Sequence, residues 1–308
     1  MQVFYHNDND GKCCAALIYQ YYNVDPPDHC SEIPITFNKM DYGMRFPIEN
    51  ISKDEKVYIV DYSIEVNEMR ELLKITEDII WIDHHKSAIE KYVTFLSELE
   101  SDGKTIRGVR DVGRAGCEIM WDYVHSDPNT YPEFVKYVAD RDMWRWKFGD
   151  NTKNYNDGLI IYDINPKSII WDDHFVPEVM RDGKIVSKTK KALSLEQLKE
   201  RGFYIKFHGY DCFVVNSDLI RGSEYLEMWQ PDADIWMVFK LCHCLVNYEE
   251  TVANPDDVYW TVSLYSKKPD IDVSKIAMNY IYKGKIGGGH KGASGFQSKG
   301  LDFLYDKE

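Results

Sequence analysis

The chain has 308 residues, of which 44% are hydrophobic and 14% aromatic, as in an ordinary globular protein that is long enough for two domains. Its formal net charge is −14, because 51 acidic residues outnumber 37 basic ones. Long nucleic acid, including long duplexes, is therefore a disfavoured partner, since binding it requires many lysine and arginine contacts to phosphates. A small anionic substrate fits this charge better.

No stretch approaches the roughly 18 apolar residues of a membrane span, and the N-terminus lacks the basic and apolar regions of a signal peptide. We therefore expect a cytoplasmic protein that does not bind membranes. The seven cysteines are odd in number and irregularly spaced, which is typical of reduced thiols. Cys242-His243-Cys244 resembles half of a metal site, but it follows an apolar run, so a structural strand is the better interpretation.

Strand and helix patterns alternate along the first 140 residues. Short apolar runs predict strands, and Gly11 allows a turn between the first strand and the first helix. This order is typical of an α/β fold with a doubly wound, mainly parallel sheet. The predicted strands are Gln2–Tyr5, Ile33–Phe37, Lys56–Val60 and Ile79–Ile82, and the predicted helices are Cys13–Tyr22, Glu65–Lys74, Ala115–Val124 and Pro132–Asp140.

The rest of the chain predicts a second, smaller α/β lobe. An irregular segment covers 148–175, and a polar helix from about Ile185 to Arg201 follows it. We expect an N-terminal domain at 1–180, a linker helix at 181–202 and a second domain at 203–308, with the substrate in a cleft between the lobes. The predicted elements of the second domain are strands Phe203–Phe207, Cys212–Val215, Ile235–Leu241 and Tyr259–Tyr265, and a helix at Val273–Tyr282.

Metal-capable side chains follow three of the N-terminal strands. His6, Asp8 and Asp10 alternate, so an extended backbone would point all three the same way. Asp61 follows the next such strand and Asp83-His84-His85 the last, at the sheet edge where ligands bind in open α/β folds. The alternative interpretations are a solvated acidic loop for the first group, and for the last a helix start capped by an aspartate with two solvated histidines.

Together with Asp140 or Asp142, these carboxylates and imidazoles are what two adjacent divalent ions require. Mixed oxygen and nitrogen ligands suit two Mn²⁺ ions, with Mg²⁺ or Co²⁺ as substitutes. Two such ions would lower the pKa of a bridging water and clamp the oxygens of a phosphate.

The order and content of these motifs resemble the DHH phosphoesterase family. The C-terminal glycine-rich motif resembles the branch with RecJ-type exonucleases and nano-RNases, and it argues against the family's inorganic pyrophosphatases. The matching segments are His6–Gly11, Val60–Ser63, Asp83–His85, Ala139–Asp142, Ile271–Ala277 and Gly287–Phe296.

The resemblance implies a role for each site residue. His6, Asp8 and Asp61 would hold one ion, with Asp61 bridging to the second. The second ion would be held by Asp10, Asp61, His84 and Asp140, the last of which aligns better than Asp142. His85 would contact the phosphate or orient a ligand, and Asp83 would fix a histidine tautomer or approach the metal through water.

The resemblance also implies that the C-terminal loop binds substrate. Backbone amides at Gly288 and Gly289 can approach a phosphate closely, and His290 and Lys291 add positive charge; a flexible surface turn is the alternative. Tyr265 stands where relatives often have arginine, and packing is a better interpretation for it than base stacking.

The implied activity is hydrolysis of short oligonucleotides or dinucleotides to mononucleotides. The alternatives are a RecJ-type single-strand exonuclease and a nucleotide-binding module without catalysis. RNA and DNA, linear and cyclic dinucleotides, and monomer and homodimer all stay open at this point.

Overall fold

The computed structural model describes residues 1–24, 33–41, 44–125, 130–243 and 258–305. It divides into two compact units, Met1–Ser187 and Lys188–Glu308. None of the helices in these ranges is both long enough and apolar enough to cross a membrane.

The first unit is built on a four-stranded sheet in which all neighbouring strands are parallel. The strand order is β2-β1-β3-β4, so the chain leaves β1 toward one edge and then returns to β3 on the other side of β1. This reversal places the topological switch point between the carboxyl ends of β1 and β3. The strands are β1 Gln2–His6, β2 Thr36–Met40, β3 Val57–Val60 and β4 Ile79–Ile82.

Helices cover both faces of this sheet. Every residue of β3 and β4 is buried, which explains why these strands are unbroken apolar runs. Val3 packs with α1, α4 and α5 in one core, whereas Phe4 packs with α2 and α3 in the other. The helices are α1 Asn9–Asn23, α2 Val66–Leu72, α3 Lys86–Ser101, α4 Gly116–Val124, α5 Glu133–Asp142 and α6 Asp150–Gly158.

Helix α7, Val176–Arg201, begins in the first unit and ends in the second. The second unit contains a six-stranded sheet of order β11-β12-β8-β7-β6-β5, antiparallel except for the β6-β7 pair, with separate cores on its two faces. Its elements are β5 Phe203–Phe207, β6 Tyr210–Asn216, α8 Glu224–Trp229, β7 Ile235–His243, β8 Val258–Tyr265, α9 Val273–Ala277, β9 Ile281–Tyr282, β10 Lys285–Ile286, β11 Gly288–His290 and β12 Ala293–Ser298.

The predicted fold class, a doubly wound parallel sheet followed by a smaller α/β unit, is confirmed. Several element predictions need correction. Helix α3 was not predicted although Tyr92, Phe95 and Leu99 are buried at helical spacing, and α6 lies in the segment predicted to be irregular. The helix predicted to end at Tyr282 stops after Ala277, and the hairpin of β9 and β10 begins at Ile281. Of Cys242-His243-Cys244, the first two residues end β7 and the third lies outside the described residues.

The domain limits 1–180, 181–202 and 203–308 stay a prediction. The two compact units meet within α7, at Ser187 and Lys188, rather than at either end of that helix.

Candidate metal centre

The site is centred on the switch point of the parallel sheet. His6 ends β1, and Asp61 follows β3 directly, so the two residues emerge from neighbouring strands at the same sheet edge. His6 Nδ1 lies 3.7 Å from Asp61 Oδ2. The backbone of Asp61 has a φ of +50°, and its N–H donates to the carbonyl of Ile82 at the end of β4. A non-glycine residue in this region is uncommon, and such strain is characteristic of functional sites.

Asp8 joins this pair by capping α1. Its Oδ1 accepts a hydrogen bond of 2.9 Å from the N–H of Gly11, and its Oδ2 lies 2.7 Å from His6 Nδ1. A Cβ at Gly11 would stand 2.2 Å from the carbonyl oxygen of His6, so glycine lets the helix start against the end of β1. The predicted extended alternation from His6 to Asp10 is therefore wrong, because the chain becomes helical at Asn9 and converges through a strand-to-helix turn.

Asp10 is held in place by α4. Its side chain is buried, and its two oxygens accept hydrogen bonds of 2.7 and 2.9 Å from the N–H groups of Gly116 and Cys117. These are first-turn amides of α4, which have no partner inside their own helix. A Cβ at Gly116 would lie 2.8 Å from Asp10 Oδ2 and 3.1 Å from Asp61 Cβ. The sequence analysis predicted a helix at Ala115–Val124 but did not single out Gly116.

His84 brings three carboxylates together. Its Nε2 lies 3.0 Å from Asp61 Oδ1, 3.4 Å from Asp142 Oδ2 and 3.6 Å from Asp10 Oδ2. The second histidine is oriented differently. His85 Nδ1 lies 2.7 Å from Asp83 Oδ1, and 3.8 Å from Asp61 Oδ1.

Asp83 serves as an anchor for this turn. Its Oδ1 accepts the N–H groups of His84 and His85 at 2.8 and 3.2 Å, and its Oδ2 accepts the hydroxyl of Ser63. The carboxylate therefore fixes the orientation of His85 and favours the tautomer with the proton on Nδ1. Helix α3 starts at Lys86, so the interpretation of this motif as a helix start describes its backbone, while the two imidazoles lie in the cluster.

The two aspartates at the end of α5 have different surroundings. Asp140 is buried and accepts the N–H groups of Lys147 and Phe148 at 2.9 and 3.2 Å and the hydroxyl of Thr152. Asp142 is the residue whose carboxylate reaches His84. The structure thus places Asp142 in the cluster and Asp140 outside it. The family resemblance had favoured Asp140.

The carboxylates of the cluster are poorly compensated. Burial, and then repulsion from Asp61, raises the pKa of Asp10 to about 7, and burial followed by repulsion from Asp10 does the same for Asp142. Burial raises the pKa of Asp61 well above its usual range. Among the described residues, nothing donates a hydrogen bond to the buried Oδ2 atoms of Asp61 and Asp142. A bound cation would offset this excess of buried negative charge.

Neighbouring aspartates raise the pKa values of two histidines of the cluster, His6 and His85. Burial opposes a charge on His6, but its interactions with Asp61 and Asp8 outweigh that effect and raise its pKa to about 10. His85 is half-buried, which opposes its charge, but its interactions with Asp83 and Asp61 outweigh that effect and raise its pKa to about 9.

The ligand atoms form three overlapping groups, each within 4.8 Å. Asp61 and His84 each belong to two of them, so the groups merge into one cluster. The groups are His6, Asp8 and Asp61; Asp10, His84 and Asp142; and Asp61, His84 and His85.

The remaining predicted site residues lie in the second unit. Gly288 to His290 form β11, which pairs antiparallel with β12, and Gly289 has a φ of +141°. His290 and Lys291 are exposed, and Lys291 Nζ donates to the carbonyl of Pro269 at 2.6 Å. Tyr265 packs against the core on one face of the sheet, in agreement with the packing interpretation.

No protein-family model matches the sequence. A protein of Acanthamoeba polyphaga mimivirus, the uncharacterized protein R106, is 25% identical over 321 aligned residues, which cover 97% of this chain and 68% of the viral protein.

The solved structures that are similar to the chain include two of RecJ. The structure of RecJ in complex with Mn²⁺ from Thermus thermophilus is 14% identical, with a TM-score of 0.49 over 96% of this chain and 49% of that one. The structure of exonuclease RecJ bound to manganese is 15% identical, with a TM-score of 0.46 over 98% of this chain and 86% of that one.

Proposed function

We propose that this protein is a divalent-metal-dependent phosphodiesterase that hydrolyses short oligonucleotides or dinucleotides to mononucleotides. The observation that carries the proposal is the position of Asp61, which belongs to two of the three ligand groups, one with His6 and Asp8 and one with His84 and His85. A buried carboxylate with one oxygen near His6 and the other near His84 is suited to bridge two ions.

The donor set fits two Mn²⁺ ions, with Mg²⁺ or Co²⁺ as substitutes. His6, Asp8 and Asp61 would hold one ion, and Asp10, His84 and Asp142 would hold the other together with Asp61. Asp142 replaces Asp140 in this set because, of these two aspartates, Asp142 is the one that lies near His84. When bound, such a pair supplies an activated water and positive charge for the oxygens of an in-line phosphoryl transfer.

The chain's own residues supply orientation and charge. Asp83 holds His85 beside Asp61, and in the metal-free protein these two carboxylates raise the pKa of the imidazole to about 9. A protonated His85 would donate a hydrogen bond to a phosphate oxygen and stabilise the charge that develops there. Removing Asp83 would lower the pKa of His85 and free its ring to rotate.

The second unit would hold the far part of the substrate through Gly288, Gly289, His290 and Lys291. A net charge of −14 disfavours tracking along many phosphates, and for this reason we place the substrate at a few nucleotides in length. The same charge makes binding of a long duplex unfavourable.

The central test is Asp61→Asn, since asparagine tolerates the left-handed backbone and keeps the size of the side chain while removing the charge. We expect loss of Mn²⁺-dependent turnover and of bound Mn²⁺, measured by dinucleotide hydrolysis and elemental analysis. Asp54→Asn is the matched control, because Asp54 has a φ of +58° and is exposed, outside the cluster. Full activity of Asp61→Asn, or of wild type in excess chelator after metal removal, would refute the proposal.

Substrate length separates this activity from that of a single-strand exonuclease. We expect kcat/KM to fall as single strands lengthen beyond a few nucleotides, with a shallow dependence on salt because few phosphates are contacted. The measurement is a series of labelled single strands at two ionic strengths. Processive degradation with a steep salt dependence would identify an exonuclease, and metal-dependent nucleotide binding without turnover would identify a binding module.

A further inference from the structure

An aromatic cluster lies in the loop that follows α5. The guanidinium carbon of Arg141 is 4.5 Å from the ring centre of Trp144 and 4.7 Å from that of Trp146. The two indole rings are 5.0 Å apart at an interplanar angle of 78°. We call Arg141, Trp144 and Trp146 the tryptophan platform. Cation–π packing of this kind holds both rings in a defined orientation.

The loop that carries the platform is fixed by Asp140. The N–H groups of Lys147 and Phe148, just after the second tryptophan, donate to its carboxylate, and Thr152 donates through its hydroxyl. The N–H of Arg145 donates to the backbone carbonyl of Asp140 at 2.9 Å. A buried carboxylate that accepts this many hydrogen bonds makes the loop a rigid part of the fold.

Arg145, which separates the two tryptophans in the sequence, ties the loop to the scaffold of the metal centre. It forms two hydrogen bonds of 2.7 and 2.9 Å with Glu118. Glu118 also accepts the N–H of Ala115 at the start of α4, the helix whose first amides hold Asp10. One connected set of bonds thus positions both the platform and a proposed metal ligand.

The platform has features that packing does not explain. Trp144 and Trp146 have φ values of +53° and +54°, in the left-handed region that bulky residues rarely adopt. Trp144 is 53% exposed, whereas Trp81 and Trp171 are completely buried in the cores. Surrounding structure must impose such a backbone, and the result is a large aromatic ring presented to solvent.

The position of Trp144 and the charges near it indicate which class of ligand its ring could bind. Trp144 follows Asp142, a residue of the metal cluster, by two positions, so their Cα atoms are at most about 7.6 Å apart. Arg141 and Lys147 place two positive charges in this short segment, whereas the charge of Arg145 is paired with Glu118. An aromatic surface flanked by cations is the arrangement that binds bases of single-stranded nucleic acids.

We propose that the tryptophan platform binds a nucleobase of the substrate by stacking, beside the phosphate held at the metal centre. The proposal rests on the proposed phosphodiesterase function and adds a base-binding position to it. Stacking on indole tolerates all bases, so it favours nucleotides over other phosphodiesters without selecting a sequence.

The test compares two diesters that share a leaving group, thymidine 5′-(p-nitrophenyl phosphate) and methyl p-nitrophenyl phosphate. We expect Trp144→Ala to lower kcat/KM for the thymidine diester on the order of 10-fold more than for the methyl diester. Trp144→Phe should restore most of this difference. Trp229→Ala is the matched control, since Trp229 is an exposed tryptophan of α8 in the second unit, and it should not change the ratio of the two substrates.

A binding measurement makes the result independent of turnover. Calorimetry with the Mn²⁺-loaded protein compares thymidine 5′-monophosphate with ribose 5-phosphate, which lacks a base. If wild type prefers the mononucleotide and Trp144→Ala loses that preference, the platform is supported even in a protein that hydrolyses neither diester.

Three results would overturn the platform. One is an equal loss of activity on both diesters, which assigns Trp144 a structural role. Another is a wild type that hydrolyses both diesters but shows no base-dependent difference in either assay, which rejects the platform while leaving the phosphodiesterase intact. The third is a change of oligomeric state in Trp144→Ala, measured by light scattering, which assigns the exposed ring to a protein contact.

Discussion

At the end of α5, two aspartates that are separated by one residue have different surroundings. Asp142 approaches His84, whereas both oxygens of Asp140 are occupied by donors of the following loop. We expect Asp142→Asn to weaken Mn²⁺ binding by at least about 10-fold, while the metal-free protein becomes at least as stable as wild type at neutral pH because a poorly compensated charge is removed.

Asp140→Asn should show the reverse pattern. Loss of its charge-assisted hydrogen bonds should lower the free energy of unfolding by about 1.5–3 kcal/mol, with a smaller effect on Mn²⁺ affinity. Calorimetric Mn²⁺ titration and denaturant unfolding of both variants provide the comparison. Loss of Mn²⁺ binding in Asp140→Asn alone would return Asp140 to the ligand set.

The titrating groups of the cluster predict how pH affects the metal-free protein. Asp10 and Asp142 have pKa values raised to about 7, so between about pH 4 and 7 the folded state holds more protons than the unfolded state, and stability falls as pH rises. His6 and His85 have raised pKa values as well, and their stabilising contribution is complete below about pH 6.5 and lost toward pH 9 to 10.

Both effects have the same sign, so we expect the unfolding temperature of chelator-treated protein to decrease steadily above about pH 5. Added Mn²⁺ should raise the unfolding temperature more at about pH 8 than at about pH 5, because its ligands must lose their protons to bind. Thermal unfolding over a pH series with and without Mn²⁺ is the measurement. A metal-free protein that becomes more stable between these pH values would contradict the electrostatics described for the cluster.

At the scale of elements, the contact between α1 and α4 positions Asp10, which forms a ligand group with His84 and Asp142. Helix α4 presents its first amides to Asp10, and Gly116 is the residue that permits the approach. In Gly116→Ala the added methyl group would displace Asp10 or Asp61, so we expect a loss of about 1–3 kcal/mol in stability and weaker Mn²⁺ binding.

The control for this substitution is Gly300→Ala, where the new Cβ would make only an ordinary contact of 3.4 Å with Asp302. Unfolding curves and Mn²⁺ titrations of both variants test the effect. Wild-type Mn²⁺ affinity in a folded Gly116→Ala protein would show that α4 does not position the ligand.

At the scale of the whole molecule, the proposed metal ligands and the proposed substrate-binding residues of β11 belong to different compact units. His290 lies in the second unit and all residues of the metal cluster lie in the first. His290→Ala should therefore lower kcat/KM roughly 10- to 100-fold through loss of a charge-assisted contact, while the metal content stays at the wild-type level.

The comparison variant is His84→Ala, which should lose metal and activity together. A loss confined to KM in His290→Ala would indicate a contact made equally in the ground and transition states, and a fall in kcat would indicate that it also aligns the phosphate. Loss of a metal ion from His290→Ala would place the loop in the metal centre and contradict this division of roles.

Local sequence patterns were sufficient for the parallel sheet of the first unit and for the sheet edge where the candidate site lies, although they missed helices α3 and α6. Strands β3 and β4 are unbroken apolar runs because both faces of a parallel sheet are covered by helices, and Asp61 and Asp83 follow them at the edge where polar groups emerge. Such features depend on near neighbours in the chain and on burial alone. The same reasoning identified most of the residues that now form the cluster, including His6, Asp8 and His84.

Only the tertiary structure decided which groups face one another. Asp10 is held by amides 106 residues away in the chain, and no periodicity within α1 or α4 specifies that contact. Asp140 and Asp142 are both acids at the end of one helix, and the loop that folds back onto Asp140 determines which of them reaches His84. The sequence by itself therefore determined the kinds of metal-capable side chain in the cluster and the sheet edge that carries them. Their exact pairing depended on how helices and loops pack across the sheet, because those contacts join residues far apart in the chain.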